Sequence, residues 1–291
     1  MHNSKILYHK GLLRNWKMLT QSQYSQIKFV AKLENIKGFF GSLKAINFDE
    51  TGTFQISDSG VRVIVENSKF VQASVYVTKE CFSEYHVPPD ETIQFYVNLN
   101  VVTECLGIFS GVECSMKMIY KGAGCPLVLV LEHHGEDDVV TECSIKTKNH
   151  EEPLDYSLDE DGPSYNAIII RGPDLANIFN EIDRTAEELE FLLSPKEPFF
   201  RITTIGVIQS ETQVEVAKTS DMITTFRCKE TTSMRYKMSH IKLAFKALLL
   251  SSKVAIRTDS SGLLGLQLII QSDDEAQIYI EFFITPLVNY D

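Results

Sequence analysis

The sequence predicts an α+β fold of two similar domains, each built of antiparallel sheets with two helices on one side. Three observations lead to this prediction: short strands of alternating polarity fill the chain, their order repeats, and an acidic segment separates the two repeats. With 44% hydrophobic and 23% charged residues over 291 positions, the composition is that of a globular protein with ample core.

The first half begins with a strand at 29–35 and a helix at 36–46. Apolar residues in this helix recur at the spacing of one buried face, at Ile36, Phe39, Phe40, Leu43 and Ile46. Lys37 and Lys44 therefore fall on the free face. The remaining predicted elements are strands at 51–58, 60–67, 70–77 and 92–98, a helix at 99–109, and strands at 113–122, 125–134 and 138–148.

Residues 149–163 contain six acidic residues, two prolines and no lysine or arginine, which is typical of a linker. Beyond it the order begins again, and Gly60 and Gly206 are predicted to occupy matching turns. The predicted elements are a strand at 165–172, a helix at 173–183, and strands at 186–196, 198–206 and 212–218. Segments 222–230 and 232–239 lead into a helix at 240–251, and strands at 253–259, 262–271 and 276–284 follow. The two domains are therefore placed at 24–148 and 164–291.

The first 23 residues differ from the rest because they contain four basic residues and no acidic one. They also hold Trp16, the single tryptophan of the chain. Such a segment is typical of a targeting signal, a surface-binding helix or a disordered extension. We interpret residues 1–23 as a disordered N-terminal extension.

The free faces of the helices suggest a weak, sequence-independent contact with phosphates. The fourth helix presents Lys242 and Lys246 one turn apart, much as the first presents its two lysines. The second and third helices present Asn100 and Asn177, whose short side chains allow close approach, although Glu104 and Glu181 oppose an anion. The pattern suits phosphate contact and lacks the dense arginine and asparagine pattern of base readout.

Residues 121–138 carry glycines, a cysteine and paired histidines, which raises a phosphate loop, a metal site or a hairpin as alternatives. No third glycine and no helix follow Gly122 and Gly124, and adjacent histidines on a strand point to opposite faces. A β-hairpin is the simplest interpretation. The six cysteines form no CxxC pair, so we read them as reduced thiols and expect neither a metal nor a cofactor.

Several long stretches resemble one family. The repeated order, the acidic linker and the lysine-bearing helices are similar to the sliding DNA clamps, the fold of proliferating cell nuclear antigen. "ISDSGVRVIVENSKFVQASVYV", "YKGAGCPLVLVLE", "SPKEPFFRITTIG" and "SKVAIRTDSSGLLGLQLII" resemble the Rad-one subunits of the nine-one-one checkpoint clamps. The resemblance covers about residues 24–286.

This resemblance implies a nuclear heterotrimeric ring with Rad-nine and Hus-one subunits, loaded by the Rad-seventeen clamp loader around double-stranded DNA at sites of damage. The helices would line the inner face and the sheets the outside. The residues implied to face DNA are Lys37, Lys44, Lys242, Lys246, Asn100 and Asn177. Subunits of such rings join through sheet edges, and the edge residues implied here are Val139, Val140, Cys143, Ile145, Val214 and Val216.

The same resemblance raises an enzymatic alternative, because members of the family have been credited with a 3′–5′ exonuclease activity. Two-metal nucleases need converging carboxylates that hold metal ions about 4 Å apart. The acidic clusters Asp49–Glu50, Glu136–Asp138 and Asp159–Asp161 all fall in predicted turns or in the linker. We therefore favour a non-enzymatic clamp subunit, with the exonuclease as the alternative.

Overall fold

The structure is a computed structural model that describes residues 27–133, 139–149, 152–183, 185–208, 210–271 and 277–287. The chain divides into two compact units. Unit 1 contains the described parts of 1–65, 76–153 and 272–278, and unit 2 those of 66–75, 154–271 and 279–291. No helix among the described residues is long and apolar enough to cross a membrane.

The first half of the sequence contributes nine strands and two α-helices among its described residues. They are β1 (Phe29–Leu33), α1 (Lys37–Ile46), β2 (Thr51–Ser57), β3 (Gly60–Asn67), β4 (Val71–Thr78), β5 (Glu84–His86), β6 (Ile93–Asn98), α2 (Leu99–Leu106), β7 (Ser115–Tyr120), β8 (Leu127–His133) and β9 (Val139–Ile145). Short 3-10 turns lie at Lys79–Cys81 and Gly107–Phe109.

The second half repeats this series. Its elements are β10 (Asn166–Arg171), α3 (Gly172–Glu181), β11 (Glu188–Leu193), β12 (Phe200–Ile205), β13 (Glu211–Val216), β14 (Ile223–Arg227), β15 (Thr232–Lys237), α4 (Met238–Ile241), α5 (Phe245–Leu248), β16 (Ser251–Thr258), β17 (Leu264–Gln271) and β18 (Gln277–Ile284). A 3-10 turn at Lys242–Ala244 separates α4 from α5.

The strand orders of the two halves correspond strand by strand. The first half gives the orders β5-β1-β7-β8-β9 and β4-β3-β2-β6, and the second gives β14-β10-β16-β17-β18 and β13-β12-β11-β15. Each strand of the second half thus occupies the place of the strand nine positions earlier. The strands pair antiparallel, as β1 with β7, β10 with β16 and β11 with β12 show, so the predicted sheet-rich, antiparallel architecture is confirmed.

The strands form because alternate residues are apolar and face a common core. In unit 1 the rings of Phe54 and Phe95 stack with their centroids 5.5 Å apart, and both residues are fully buried. In unit 2 Phe191 packs against Phe200 and Tyr236, whose hydroxyl donates to the Gly262 carbonyl over 2.8 Å. Burial raises the pKa of Tyr236, so this hydroxyl stays protonated and keeps the bond.

Three details of the sequence prediction need correction. The fourth helix is not continuous over 240–251, because α4 ends at Ile241 and Ser251 already belongs to β16. The short strand β5 was absent from the prediction. Gly60 and Gly206 do not occupy matching turns, since Gly60 opens β3 whereas Gly206 follows β12, the counterpart of β3.

Replacing Gly60 with alanine should lower the free energy of unfolding by at least about 2 kcal/mol. Gly60 has φ +144°, and an added Cβ would lie 2.2 Å from the Val77 carbonyl oxygen. Gly124→Ala is the matched control, because Gly124 has φ +79° but open space around its Cβ. It should cost only about 1–2 kcal/mol of backbone strain. Equal losses in denaturant unfolding would contradict the clash with Val77.

Candidate nucleic-acid interface

Helix α1 places its two lysines in solvent. Asn35 accepts a hydrogen bond from the Lys37 amide over 2.9 Å, which satisfies a free donor at the start of the helix. Phe39 and Leu43 are buried, whereas Lys37 and Lys44 are exposed on the other side. Phe40, predicted to be buried, is only half-buried, and its ring centroid lies 5.2 Å from the Lys44 ammonium.

Helix α2 begins at a capped end and contacts the residue that follows α1. The Asn98 side chain accepts a hydrogen bond from the Val101 amide over 3.2 Å. Asn100 is half-buried, and its side-chain oxygen accepts a hydrogen bond from the Asn47 amide group over 2.9 Å. Asn100 is therefore less available to a phosphate than the two lysines of α1.

Helix α3 starts directly after β10, with Pro173 in its first turn where a missing N–H costs little. Arg171, just before the helix, donates to Asp174 over 2.6 Å. Leu175 and Phe179 are buried, which leaves Asn177 exposed on the opposite face. An arginine paired with a carboxylate contributes little net positive charge at this end of the helix.

The positive charge of unit 2 lies on the 3-10 turn and α5. Lys242 and Lys246 are exposed, one turn apart. His240, in α4, stacks on Phe70 with ring centroids 5.5 Å apart. Burial and the nearby Lys237 lower the pKa of His240, so it is neutral at pH 7 and adds no charge.

The four lysines predicted to face DNA share two properties. All are exposed, and none takes part in the ion pairs that join described residues within 4 Å. An exposed ammonium group outside such pairs can exchange its counterions for a phosphate, which favours association at low salt. The charge of Lys242 is partly offset, because the Asp183 carboxylate lies close enough to interact with it.

The two strands predicted as subunit edges, β9 and β13, are each the last strand of their sheet order. In β9, Val139 and Val140 are half-buried, whereas Cys143 and Ile145 are 8% and 3% exposed. Their side chains therefore pack inside unit 1, where Cys143 shares a hydrogen bond with Cys105 of α2. A neighbour at β9 would meet the backbone and the exposed side chains, and Cys143 and Ile145 would not contact it directly.

The hydrogen-bond register of β13 shows which of its backbone groups face outward. The amide of Gly206 donates to the Ser210 carbonyl over 2.9 Å, and Ile205 pairs with Glu211. In an antiparallel ladder, residue pairs that exchange backbone hydrogen bonds alternate with pairs that do not. Gly206–Ser210 is a bonded pair and Ile205–Glu211 is not, so the backbone groups of Thr212, Val214 and Val216 bond to β12. The amides and carbonyls of Glu211, Gln213 and Glu215 therefore point away from the sheet.

Side chains in β13 follow the same alternation. Val214 is half-buried and Val216 is 6% exposed, so the two predicted interface valines face the core of unit 2. The three outward residues were missed in the sequence analysis. The alternation in "ETQVEV" shows which of their side chains face solvent, whereas the direction of their backbone groups follows only from the register with β12.

The counterparts of β9 and β13 in the other half of the sequence are paired with a neighbouring strand on both sides. β18 is the counterpart of β9, and β4 is the counterpart of β13. Within unit 2, β18 neighbours the part of β4 that belongs to that unit, and the Thr285 amide donates to the Phe70 carbonyl over 3.0 Å. The chain therefore contains one β18–β4 neighbour pair, while β9 and β13 end their sheets.

The other candidate sites have structural explanations. The glycines of 121–126 form the turn between β7 and β8, with φ +124° at Gly122 and +79° at Gly124, so the hairpin interpretation is confirmed. His133 lies 2.8 Å from the Glu113 carbonyl, and His134 and Glu136–Asp138 lie outside the described residues. No group of three metal-ligating side chains occurs in the described part of the chain.

The acidic clusters among the described residues are exposed, and some of their carboxylates form hydrogen bonds or ion pairs. Asp49 accepts a hydrogen bond from the Thr51 amide, and Glu160 pairs with Arg257 at 3.0 Å. In the predicted linker, the Leu154 amide donates to Glu66 and the Tyr156 hydroxyl donates to the Lys69 carbonyl over 2.6 Å. These contacts hold the turns and the linker in place within each unit.

The chain is similar to proteins of DNA repair and the cell-cycle checkpoint. A family model described as repair protein Rad1/Rec1/Rad17 matches residues 28–270. The DNA repair protein Rad1 of Drosophila melanogaster is 44% identical over 93% of this chain and 98% of its own length. The cell cycle checkpoint protein RAD1 of Homo sapiens is 38% identical over 91% of this chain and 94% of its own. The DNA damage checkpoint control protein rad1 of Schizosaccharomyces pombe is 25% identical over 89% of this chain.

Proposed function

Because this chain belongs to the Rad1/Rec1/Rad17 family of repair proteins, we propose that it is a non-enzymatic subunit of a heterotrimeric ring in the nucleus. The ring encircles double-stranded DNA at sites of damage and acts as a platform for checkpoint signalling and repair factors. The other two subunits are Rad-nine and Hus-one, and the Rad-seventeen clamp loader places the ring on DNA.

The observation that carries this proposal is the difference between equivalent strand edges. β4 and β18 are neighbours in this chain, whereas β13 and β9, which hold the equivalent places, each end a sheet. A β9 edge of one subunit can therefore meet a β13-like edge of the next in the arrangement that β18 and β4 already adopt. Each subunit then offers one edge of each kind, which is the requirement for a closed ring.

The exposed lysines support the DNA-binding part of the proposal. Lys37 and Lys44 on α1 and Lys242 and Lys246 in the fourth helical region form two separate basic positions in a chain of net charge −11. Concentrating positive charge on helices of an acidic protein directs a polyanion to those helices. Lysines contact phosphates, so these contacts are to the backbone of DNA and independent of sequence, and Asn177 adds an exposed, uncharged position beside them.

Co-expression tests the assembly directly. This chain, produced together with Rad-nine and Hus-one subunits, should elute as one species whose mass equals the sum of one copy of each. The same chain produced alone should not give a ring of three copies. A stable homotrimer, or no association with either partner, would refute the proposed assembly.

The exonuclease alternative makes the opposite prediction about DNA. Highly purified chain with Mg²⁺ or Mn²⁺ should leave end-labelled duplex DNA intact, because its described acidic residues do not converge to hold two metal ions. The control is a double variant, Asp159→Asn with Glu160→Gln, which should behave as the unaltered chain does. Cleavage that this variant abolishes would establish the enzyme and overturn the non-enzymatic proposal.

A further inference from the structure

Two cysteine side chains lie against each other inside unit 1, although they are far apart in the sequence. Cys105 belongs to α2 and Cys143 to β9, and these two elements pack together. Their thiols share a side-chain hydrogen bond. Both cysteines are free in this structure. Two adjacent thiols on different elements are the arrangement from which a disulfide can form.

Regular secondary structure holds the two thiols in this position. Helix α2 buries Val102 and Leu106 on its core face, and Cys105 is half-buried at the border of that face. In β9 alternate residues face the core, and Cys143 is 8% exposed opposite the buried Leu129 of β8. The pair is therefore a feature of the folded unit and requires no loop to rearrange.

The surroundings of the pair favour thiol chemistry over metal binding. Within the described residues, no third cysteine, histidine or carboxylate joins the two thiols in a group suited to a metal ion. A structural zinc site has four ligands, and two thiols alone are too few. The charged groups that face the pair are the Glu104 and Glu142 carboxylates, which disfavour a second negative charge and do not attract an anion.

The two thiols differ in reactivity. The hydrogen bond with Cys143 lowers the pKa of Cys105, although burial and the Glu104 carboxylate act in the opposite direction. The same hydrogen bond raises the pKa of Cys143, and burial raises it further. The thiolate is the form that reacts with oxidants, and Cys105 is also the more exposed of the two. An oxidant should therefore react first at Cys105.

We propose that Cys105 and Cys143 are an oxidation site, which forms a reversible disulfide on reaction with hydrogen peroxide. The Cys105 thiolate attacks one peroxide oxygen, the O–O bond breaks, and a sulfenic acid and one water result. The Cys143 sulfur then attacks the Cys105 sulfur, the S–O bond breaks, and the hydroxide leaves with the Cys143 proton as a second water. Two electrons pass from the thiols to the peroxide, and a dithiol reductant restores both thiols.

The disulfide fastens α2 to β9. Helix α2 carries Asn100, predicted to face DNA, and β9 is a predicted subunit edge. One bond therefore links the two predicted surfaces, and it also restricts the unfolded chain, which stabilises unit 1. The chemistry is a property of the isolated subunit and does not rest on the proposed ring.

Mass spectrometry of the folded subunit tests this proposal. After treatment with hydrogen peroxide and alkylation of the remaining thiols, a peptide pair joined through Cys105 and Cys143 should be found. Dithiothreitol should abolish it. The midpoint of thermal unfolding should rise on oxidation and return on reduction. Cys228→Ser is the matched control, because Cys228 is a half-buried cysteine of unit 2, and this variant should form the bond as the unaltered chain does.

Single variants of the pair test the order of the two steps. Cys143→Ser should form no disulfide and should leave a sulfenic acid at Cys105, which dimedone captures. Cys105→Ser changes the more exposed member, so it should stay folded, form no disulfide and give far less dimedone adduct at Cys143. The proposal is overturned if the oxidised folded subunit lacks the Cys105–Cys143 peptide pair. A bond that forms only after unfolding, or only between two copies, also overturns it.

Discussion

Replacing Gln213 with proline should abolish assembly of the three-subunit ring while the isolated subunit stays folded. The Gln213 amide points away from β12, so its loss removes no hydrogen bond within the chain. A partner strand would lose that donor, and the proline ring would also occupy the space it needs. An unsatisfied carbonyl in the joint costs about 1–3 kcal/mol, and with the steric term the affinity should fall at least about a hundredfold.

The measurement is the mass of the co-expressed complex together with thermal unfolding of the subunit alone. Ser233→Pro is the matched control. Ser233 is exposed on β15, the strand at the other end of the same sheet order, and the register places its amide outward as well. This variant should assemble normally. The assignment of β13 as the joint fails if Gln213→Pro assembles, or if both variants are equally impaired.

Reversing the charge of Lys37, Lys44, Lys242 and Lys246 together should weaken binding of the assembled ring to duplex DNA, most strongly at low salt. Each lysine that contacts a phosphate contributes about 0.9 to the slope of log affinity against log salt. The slope should therefore fall by up to about 3.6 in the fourfold variant. Titration of labelled duplex at several salt concentrations measures it.

The control for this experiment must carry the same change in net charge. Lys79, Lys121, Lys196 and Lys229 are also exposed and lie outside α1–α5 and the 3-10 turn at Lys242–Ala244. Their replacement by glutamate should reduce affinity only through the long-range field, with a slope close to that of the unaltered ring. If the two fourfold variants show the same slope of log affinity against log salt, the helices are not the DNA-binding surface.

The sequence predicted most of the strands because several of them alternate buried and partly exposed residues over six positions, as β6 and β11 do. The helix prediction was accurate for α1, where Phe39, Leu43 and Ile46 repeat over about two turns. It was wrong for the fourth helix. The Phe245 amide bonds to the Lys242 carbonyl, and a 3-10 turn and an α-turn give nearly the same apolar spacing over so few residues.

Only the part of the candidate site that depends on local periodicity could be predicted from the sequence. Exposure of Lys37 or Lys242 follows from helical periodicity alone. The orientation of Cys143 and Val216 depends on which side of each strand meets the core, and their apolar character suits an interface or a core equally well. The direction of the Gln213 amide depends on the register between β12 and β13, and no property of a single strand determines it.

The outward glutamates of β13 limit which chains can pair with it. Two copies of this strand brought together antiparallel and centred on Gln213 would place Glu211 opposite Glu215 at both ends, and like charges directly opposed are destabilising. Two unassembled molecules should therefore repel one another at this strand. If β13 is the proposed joint, this repulsion disfavours homodimers there and leaves the strand available to a partner chain of different sequence.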